Sequence, residues 1–290
     1  MTVATLNDVL LPAMREGRAV MGLVVLGWEE ARAFVEAADE TGLPIILQAG
    51  PGCRKNMPVP ILGKMFRHLA EQSRAQVVCH IDHAYTVDEC REGIDHGFSS
   101  VMIDGSRLSI DENIALTSRV VAEAKAHGVS VEGEVGFVGY SSGESGRFTD
   151  PEDARRFDQE SGADALAISV GNVHLNTEKT NGIDLDALRA VEAVTRLPLV
   201  IHGGSGVPDA MRQLLARTTR VSKFNIGTEL RMAFGDALRR SIREQPDEYD
   251  HLNLLRPTIG ALKTAAMKIL RETGLPALQG KSDSPLNSFR

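Results

Sequence analysis

Eight short apolar runs, most of them rich in β-branched residues, recur along the chain. They are "AVMGLVVL" (19–26), "PIILQ" (44–48), "QVVCHI" (76–81), "SSVMID" (99–104), "VSVEGEV" (129–135), "ADALAIS" (163–169), "PLVIH" (198–202) and "RVSKFNI" (220–226). Near-continuous apolar runs of this length fit strands covered on both faces, as in a parallel sheet. Between them the period changes. Trp28, Ala31, Phe34, Val35 and Ala38 recur at helical spacing as one apolar stripe. "DPEDARRF" (150–157) opens a helix with an aspartate cap, Pro151 at the first position and acidic residues in the first turn. "VPDAMRQLL" (207–215) reads as a further helix start. Eight strand–helix units in roughly 250 residues predict an α/β fold of the (β/α)8 (TIM) barrel type, with a doubly wound open sheet as the fallback. No low-complexity linker breaks the alternation, so residues 1–290 read as one TIM-barrel domain. Polar, proline-containing stretches after residue 246 and a last helix at about 257–273 read as a C-terminal helical appendage.

Composition narrows the partners. The net charge of −7 argues against nucleic acid, which needs a basic face, but leaves room for a phosphorylated small molecule in a locally positive pocket. No apolar run approaches the roughly 20 residues that span a bilayer, and the acidic N-terminal stretch does not read as a signal peptide. Cys53, Cys79 and Cys90 are odd in number and lack a CxxC spacing, as expected of reduced thiols in a cytoplasmic protein.

The chemistry-bearing residues gather where strands stop. His80, Asp82 and His83 end the third run, and Asp104 the fourth. Glu132 and Glu134 end the fifth, His174 follows the sixth, and His202 ends the seventh. Catalytic groups of such barrels occupy the C-terminal strand ends. Three neutral imidazoles from separate strands make a catalytic zinc site with an open fourth position, and His83, His174 and His202 are the candidates. Each taken singly is more simply a capping or hydrogen-bonded core histidine. Strand alternation turns His80 away from its neighbours, toward a supporting role. "HGGSG" (202–206) and "FNIGTE" (224–229) follow the seventh and eighth strands, where barrels often hold phosphate on backbone N–H groups. Ser205, Asn225 and Thr228 add side-chain polar groups there.

Together these stretches resemble the class II, metal-dependent ketose-bisphosphate aldolases, the family of fructose- and tagatose-bisphosphate aldolases. "HIDHA", "MIDGS", "VEGEVG", "FTDPEDARRF", "GADALAISVGNVH", "IHGGSGVPD", "KFNIGTEL" and "RPTIGALK" stand in the family's order with similar spacing over most of the chain. The resemblance implies one zinc ion, or another divalent ion in its place, on His83, His174 and His202, with Asp82 transferring the proton of the aldol hydroxyl. It places Asp104 and Glu134 near an alternative, more buried metal position. It assigns the dihydroxyacetone-phosphate end of the substrate to Gly203, Ser205, Asn225 and Thr228, sometimes with a monovalent cation nearby. It also implies a homodimer or homotetramer.

The chain departs from the family at four places. "GLVVLGW" (22–28) replaces an Asn-containing segment after the first strand, and Gly50 stands where a Ser or Thr commonly precedes the "PG". Leu175 replaces the glycine after the histidine. The loop "GFVGYSSGESG" (136–146) is shorter than usual; Glu144 is the candidate for deprotonating carbon, with Ser142 an alternative occupant of its position. These changes predict an aldolase whose substrate differs from fructose 1,6-bisphosphate. Arg54 and Lys55 read as a solvated basic turn, with an anionic tail of the substrate as the other option. A Schiff-base aldolase would need a lysine at a strand end, and Lys223 lies inside the eighth strand. A zinc amidohydrolase would want HxH after the first. A paralogue kept as a binding or assembly subunit remains the alternative function.

Overall fold

The computed structural model describes residues 2–141, 143, 145–179 and 182–274. Its eight barrel strands are β1 (Val20–Val24), β2 (Ile45–Ala49), β3 (Val77–Ala84), β4 (Ser100–Ile103), β5 (Ser130–Val135), β6 (Ala165–Ile168), β7 (Leu199–Ile201) and β8 (Val221–Ile226). Each pairs in parallel with the next, and β8 pairs with β1, which closes the barrel. All eight apolar runs are strands, in order. The open-sheet fallback is excluded by the β8–β1 pairing.

Two apolar layers follow from the alternation of side chains. Outward residues such as Leu23, Leu47, Cys79, Ile81, Ile103, Ile168, Ile201 and Phe224 pack under the surrounding helices. Inward residues Val20, Ile46, Val78, Met102, Ala165, Ala167 and Val200 fill the barrel's lower interior. The helix Leu6–Arg15 closes that end with Leu6 and Leu10, and Thr5 and Asp8 cap it reciprocally. Above this plug the interior turns polar: Gln48, His80, Glu132, Lys223 and His202 are all fully buried.

Asp150 caps the helix Pro151–Glu160 by accepting from the N–H groups of Glu152 and Asp153, as the sequence predicts. Three details differ. Trp28 is 43% exposed, whereas the rest of its stripe is buried, because it stands at the first residue of the helix Trp28–Thr41. The last helix begins at His251 and holds Pro257 inside it. The proline forfeits one backbone bond there instead of starting the helix. Leu262, Ala266, Ile269 and Leu270 pack this helix into the outer apolar layer, so its described part is a wall of the barrel's shell more than an appendage. Finally, the short strands Gly139–Tyr140 and Val173–His174 pair with each other above the barrel.

Candidate active site

β3 carries the key turn. Regular alternation would put Asp82 and His83 on opposite faces, yet both line one cavity. The reason is local. His83 adopts a left-handed backbone (φ 48°), and the β3–β4 register slips between Ile81 and Ala84. A non-glycine residue in that region carries strain, which the surroundings must hold in place. Arg54 does this: its Nη1 donates to the carbonyls of Ala49 (2.6 Å) and Asp82 (2.5 Å), and its Nη2 to that of His83 (2.9 Å). Arg54 is thus a clamp on strand ends, neither a solvated turn nor free for a substrate tail. Lys55 is exposed.

The three candidate histidines converge. Ring centroids lie 4.7 Å apart for His83 and His202, and 5.6 Å for each of the other two pairs. One nitrogen from each ring falls within 4.8 Å of the other two. His83 Nδ1 bonds Asp104 Oδ2 at 2.8 Å, and Asp104 Oδ1 accepts from Ser106 N–H. His174 stacks on Tyr140 at 5.0 Å, a contact made by the short strand pair. His202 Nε2 bonds Glu132 Oε1 at 3.1 Å, while its Nδ1 is buried with no hydrogen-bond partner among the described residues. Glu134 Oε2, 3.6 Å from that Nδ1, is likewise orphaned. A buried imidazole nitrogen and a buried carboxylate oxygen with no partner among the described residues suit a bound cation. His83, Asp104 and Glu134 form a second, overlapping group that could hold a metal.

Charge in the site is concentrated on one ring. Burial alone would depress the His83 pKa, but Asp82, Asp104 and Glu134 outweigh it and push it up to about 10. Burial and the His83 charge push His174 down to about 4 and His202 well below its ordinary value. Burial, with Asp104 nearby, raises Glu134 to about 8. Asp104 stays well below the usual carboxylate range, because its bond to His83 overcomes burial.

Asp82 is 7% exposed and directed. Gln48 Nε2 (2.9 Å) and Asn225 Nδ2 (3.3 Å) both donate to its Oδ1. Its Oδ2 lies toward Gly50, where an added Cβ would stand 3.3 Å away. Asn225 therefore supports Asp82 in addition to lining the cavity. Gly203 is left-handed (φ 65°), and a Cβ there would sit 2.2 Å from the Val173 carbonyl, so only glycine fits. Ser205 Oγ accepts from the N–H groups of Gly227 and Glu229 and keeps its own proton to donate. Gly203, Ser205, Asn225 and Thr228 all line the same cavity of about 170 Å³ as Asp82, His83 and His174. Glu144 and Ser142 lie outside the described residues.

Sequence reasoning passed over Gln48 and Arg231 as site residues, and placed Glu132 at a strand end without giving it a role. Gln48 carried the signal that singled out Asp82, a polar residue closing an apolar strand. Arg231 stands one turn after Thr228 on the helix Thr228–Glu244, lines the cavity, and makes no ion pair among the described residues. Lys223 is fully buried on Glu132 Oε2 at 2.6 Å and does not line the cavity, which removes it as a Schiff-base lysine. Val24, Leu26 and Leu175 give the cavity an apolar side where the sequence departs from the family it resembles. Leu175 takes the left-handed backbone (φ 57°) of a glycine and leaves its side chain 47% exposed.

Comparison with known proteins agrees with this geometry. Residues 4–275 match the family described as fructose-bisphosphate aldolase class-II. A 6-phospho-5-dehydro-2-deoxy-D-gluconate aldolase of Bacillus subtilis is 35% identical over 284 residues, which cover 94% of this chain and 96% of that one. A fructose-bisphosphate aldolase of Geobacillus stearothermophilus is 32% identical, covering 94% and 98%. Among solved structures, the YdjI aldolase of Escherichia coli K12 superposes with a TM-score of 0.82 at 27% identity, over 95% of this chain and 98% of that one.

Proposed function

The chain belongs to the class-II fructose-bisphosphate aldolase family, and from that premise we propose that it is a metal-dependent aldolase acting on a phosphorylated ketose other than fructose 1,6-bisphosphate. One observation carries this reading: three imidazoles converge beside a buried, directed carboxylate, where His83 and His174 line one cavity with Asp82, and His202 is fully buried behind them. His83, His174 and His202 would hold a zinc or similar divalent ion, and Asp104 and Glu134 an alternative position. Bound there, the ion would supply the Lewis acidity that stabilises the charge of an enediolate of dihydroxyacetone-phosphate type.

The residues do the rest. Asp82 takes the proton from the hydroxyl on the carbon that becomes the aldehyde, and the C–C bond beside it breaks toward the carbonyl of the ketose. In condensation the same carboxyl returns that proton. Gln48 and Asn225 hold Oδ1, so Oδ2 is the oxygen left for transfer. Ser205, Thr228 and the backbone around Gly203 receive the phosphate, and Arg231 adds a positive charge to the cavity. The proton exchange at the substrate carbon is assigned to Glu144. The same reading takes residues 1–290 as one domain and the working form as a cytoplasmic homo-oligomer.

Two observations favour a single-phosphate substrate. Among the described residues the cavity has one guanidinium and an apolar side made by Val24, Leu26 and Leu175. The name of the Bacillus subtilis relative describes a substrate with one phosphate. Steady-state assays across ketose monophosphates and bisphosphates, with metal content measured in parallel, test this. A monophosphate is expected to give the highest kcat/KM. A preference for fructose or tagatose 1,6-bisphosphate would overturn the substrate proposal, and a pure protein with neither metal nor lyase activity would overturn the enzyme.

Proton release gives a second test. With His83 pushed up to about 10, the metal-free ring holds a proton at neutral pH, and a metal must displace it. Its Nδ1 is engaged with Asp104, so the nitrogen to be freed is Nε2. Zinc uptake at pH 7 is therefore expected to release at least one proton per site, with Glu134, raised to about 8, able to add a second, and affinity to rise with pH up to about pH 10. Calorimetry in buffers of different ionisation enthalpy reads both. Uptake with no proton release would mean that the His83 ring is neutral before the metal arrives or that it is not a ligand.

A further inference from the structure

Below the cavity, a row of fully buried polar groups runs across the barrel from β8 through β5 to the end of β7. Lys223 Nζ lies 2.6 Å from Glu132 Oε2, and Glu132 Oε1 lies 3.1 Å from His202 Nε2. His80 Nε2 stands 3.8 Å from Glu132 Oε2, and its Nδ1 is bonded to Ser100 Oγ at 2.8 Å. Lys223, Glu132, His202 and His80 are all 0% exposed. None of this is needed to bury the barrel's interior, where a hydrophobic row would cost less.

We propose that Lys223 and Glu132 are positioning residues that fix which nitrogen of His202 carries the proton, and so present the bare Nδ1 to the metal position. The inference rests on the metal reading above. An ionised carboxylate only accepts hydrogen bonds, so the Nε2 that meets Glu132 is the nitrogen that donates. In a neutral ring the other nitrogen then carries the lone pair, and that is the Nδ1 found without a partner opposite Glu134. Lys223 is the other half of the device. It keeps a fully buried carboxylate paired at 2.6 Å, and it offers only donors, which dictates that Glu132's second oxygen must accept. The carboxylate is symmetric and satisfies both neighbours as an acceptor.

An amide is not symmetric, and this makes the test sharp. In Glu132→Gln the amide oxygen must face the Lys223 ammonium, so the NH2 group is turned onto His202 Nε2. That nitrogen then has to accept, and the ring proton moves to Nδ1, the ligand atom. In the double variant Glu132→Gln/Lys223→Met the amide is released, can turn its oxygen back to His202, and restores Nε2 as the donor.

The experiment measures zinc affinity of the full chain by chelator competition, and the ring-proton position in the zinc-free protein by long-range 1H–15N NMR. Thermal unfolding confirms that each variant is folded. Glu132→Gln is expected to bind zinc about 10–100-fold more weakly than wild type, with the His202 proton on Nδ1. The double variant is expected to bind more tightly than the single one, with the proton back on Nε2. A merely structural pair would give the reverse order, the second substitution adding to the damage. Wild-type affinity in Glu132→Gln, or no recovery in the double variant, would overturn the proposal. A wild type that binds no zinc would instead overturn the metal reading, and the NMR comparison would still decide where Lys223 and Glu132 put the proton.

Discussion

Asp82→Ala is expected to lower kcat by about 10²–10⁴-fold, the usual contribution of a positioned proton-transfer group, while KM, fold and metal content change little. The carboxylate is buried and held by Gln48 and Asn225 at one oxygen only, a poor arrangement for a structural ion pair and a good one for handing over a proton from the other. Its removal leaves two amide groups without their acceptor. That costs about 1–3 kcal/mol each where no water replaces it, and Asp82 lines an open cavity that water can enter. Metal uptake should change little, because Asp82 is in neither candidate ligand group and its charge, which favours a cation, also holds the proton on His83 that the cation displaces. Without it His83 gives up that proton more readily. Asp82→Asn, which keeps the size and an acceptor for both amides, should be as slow as the alanine variant with less loss of thermal stability. Steady-state cleavage with metal analysis on the same samples distinguishes the possibilities. Near-normal turnover in either variant would remove Asp82 from the chemistry, and loss of metal in step with activity would make it a structural support of the site.

The barrel was legible because its strands are buried on both faces, which leaves eight near-continuous apolar runs alternating with helical stretches. The rim was legible for a related reason. A charged or imidazole side chain at the end of one buried strand is more simply a cap or a hydrogen-bonded core group, but several at matching strand ends point to chemistry, and Asp82, His83 and His202 all carry that mark. Alternation of side chains misleads at His83, since the left-handed turn that brings it beside Asp82 depends on Arg54, some 30 residues earlier, gripping three carbonyls. Nothing in "PGCRKN" announces that role. Lys223 and Glu132 were visible as polar residues within strands, but their pairing across the barrel is a product of closure and has no local signature. Leu175 shows the opposite limit. The sequence marks it as out of place, and the structure shows it accepting a glycine's backbone at φ 57° and lining the cavity. Strain of this kind costs of order 1–3 kcal/mol and persists where the surroundings impose it. Here Ser141 does so, its N–H bonding the His174 carbonyl and its Oγ that of Leu175.

His202→Ala is expected to weaken zinc binding by about 10²–10³-fold, if the roughly 10–16 kcal/mol of a four-ligand zinc site is shared evenly and one share is lost. The effect should exceed that of Glu132→Gln, which misdirects the ligand without deleting it. Stability should suffer less than full burial suggests. Glu132 keeps Lys223 when the imidazole goes, so the carboxylate loses one hydrogen bond and no counter-charge. The cost of an oxygen left so is about 1–3 kcal/mol, which lowers the melting temperature without unfolding the chain. His127→Ala is the control, an exposed histidine at the end of the helix Ile110–Ala126, and it should bind zinc as the wild type does. Two outcomes matter. Weak binding with a folded barrel ties the ion to the three rings. Unchanged affinity in His202→Ala would move the ion to the His83, Asp104 and Glu134 group, because those ligand atoms approach one another as closely and do not need His202.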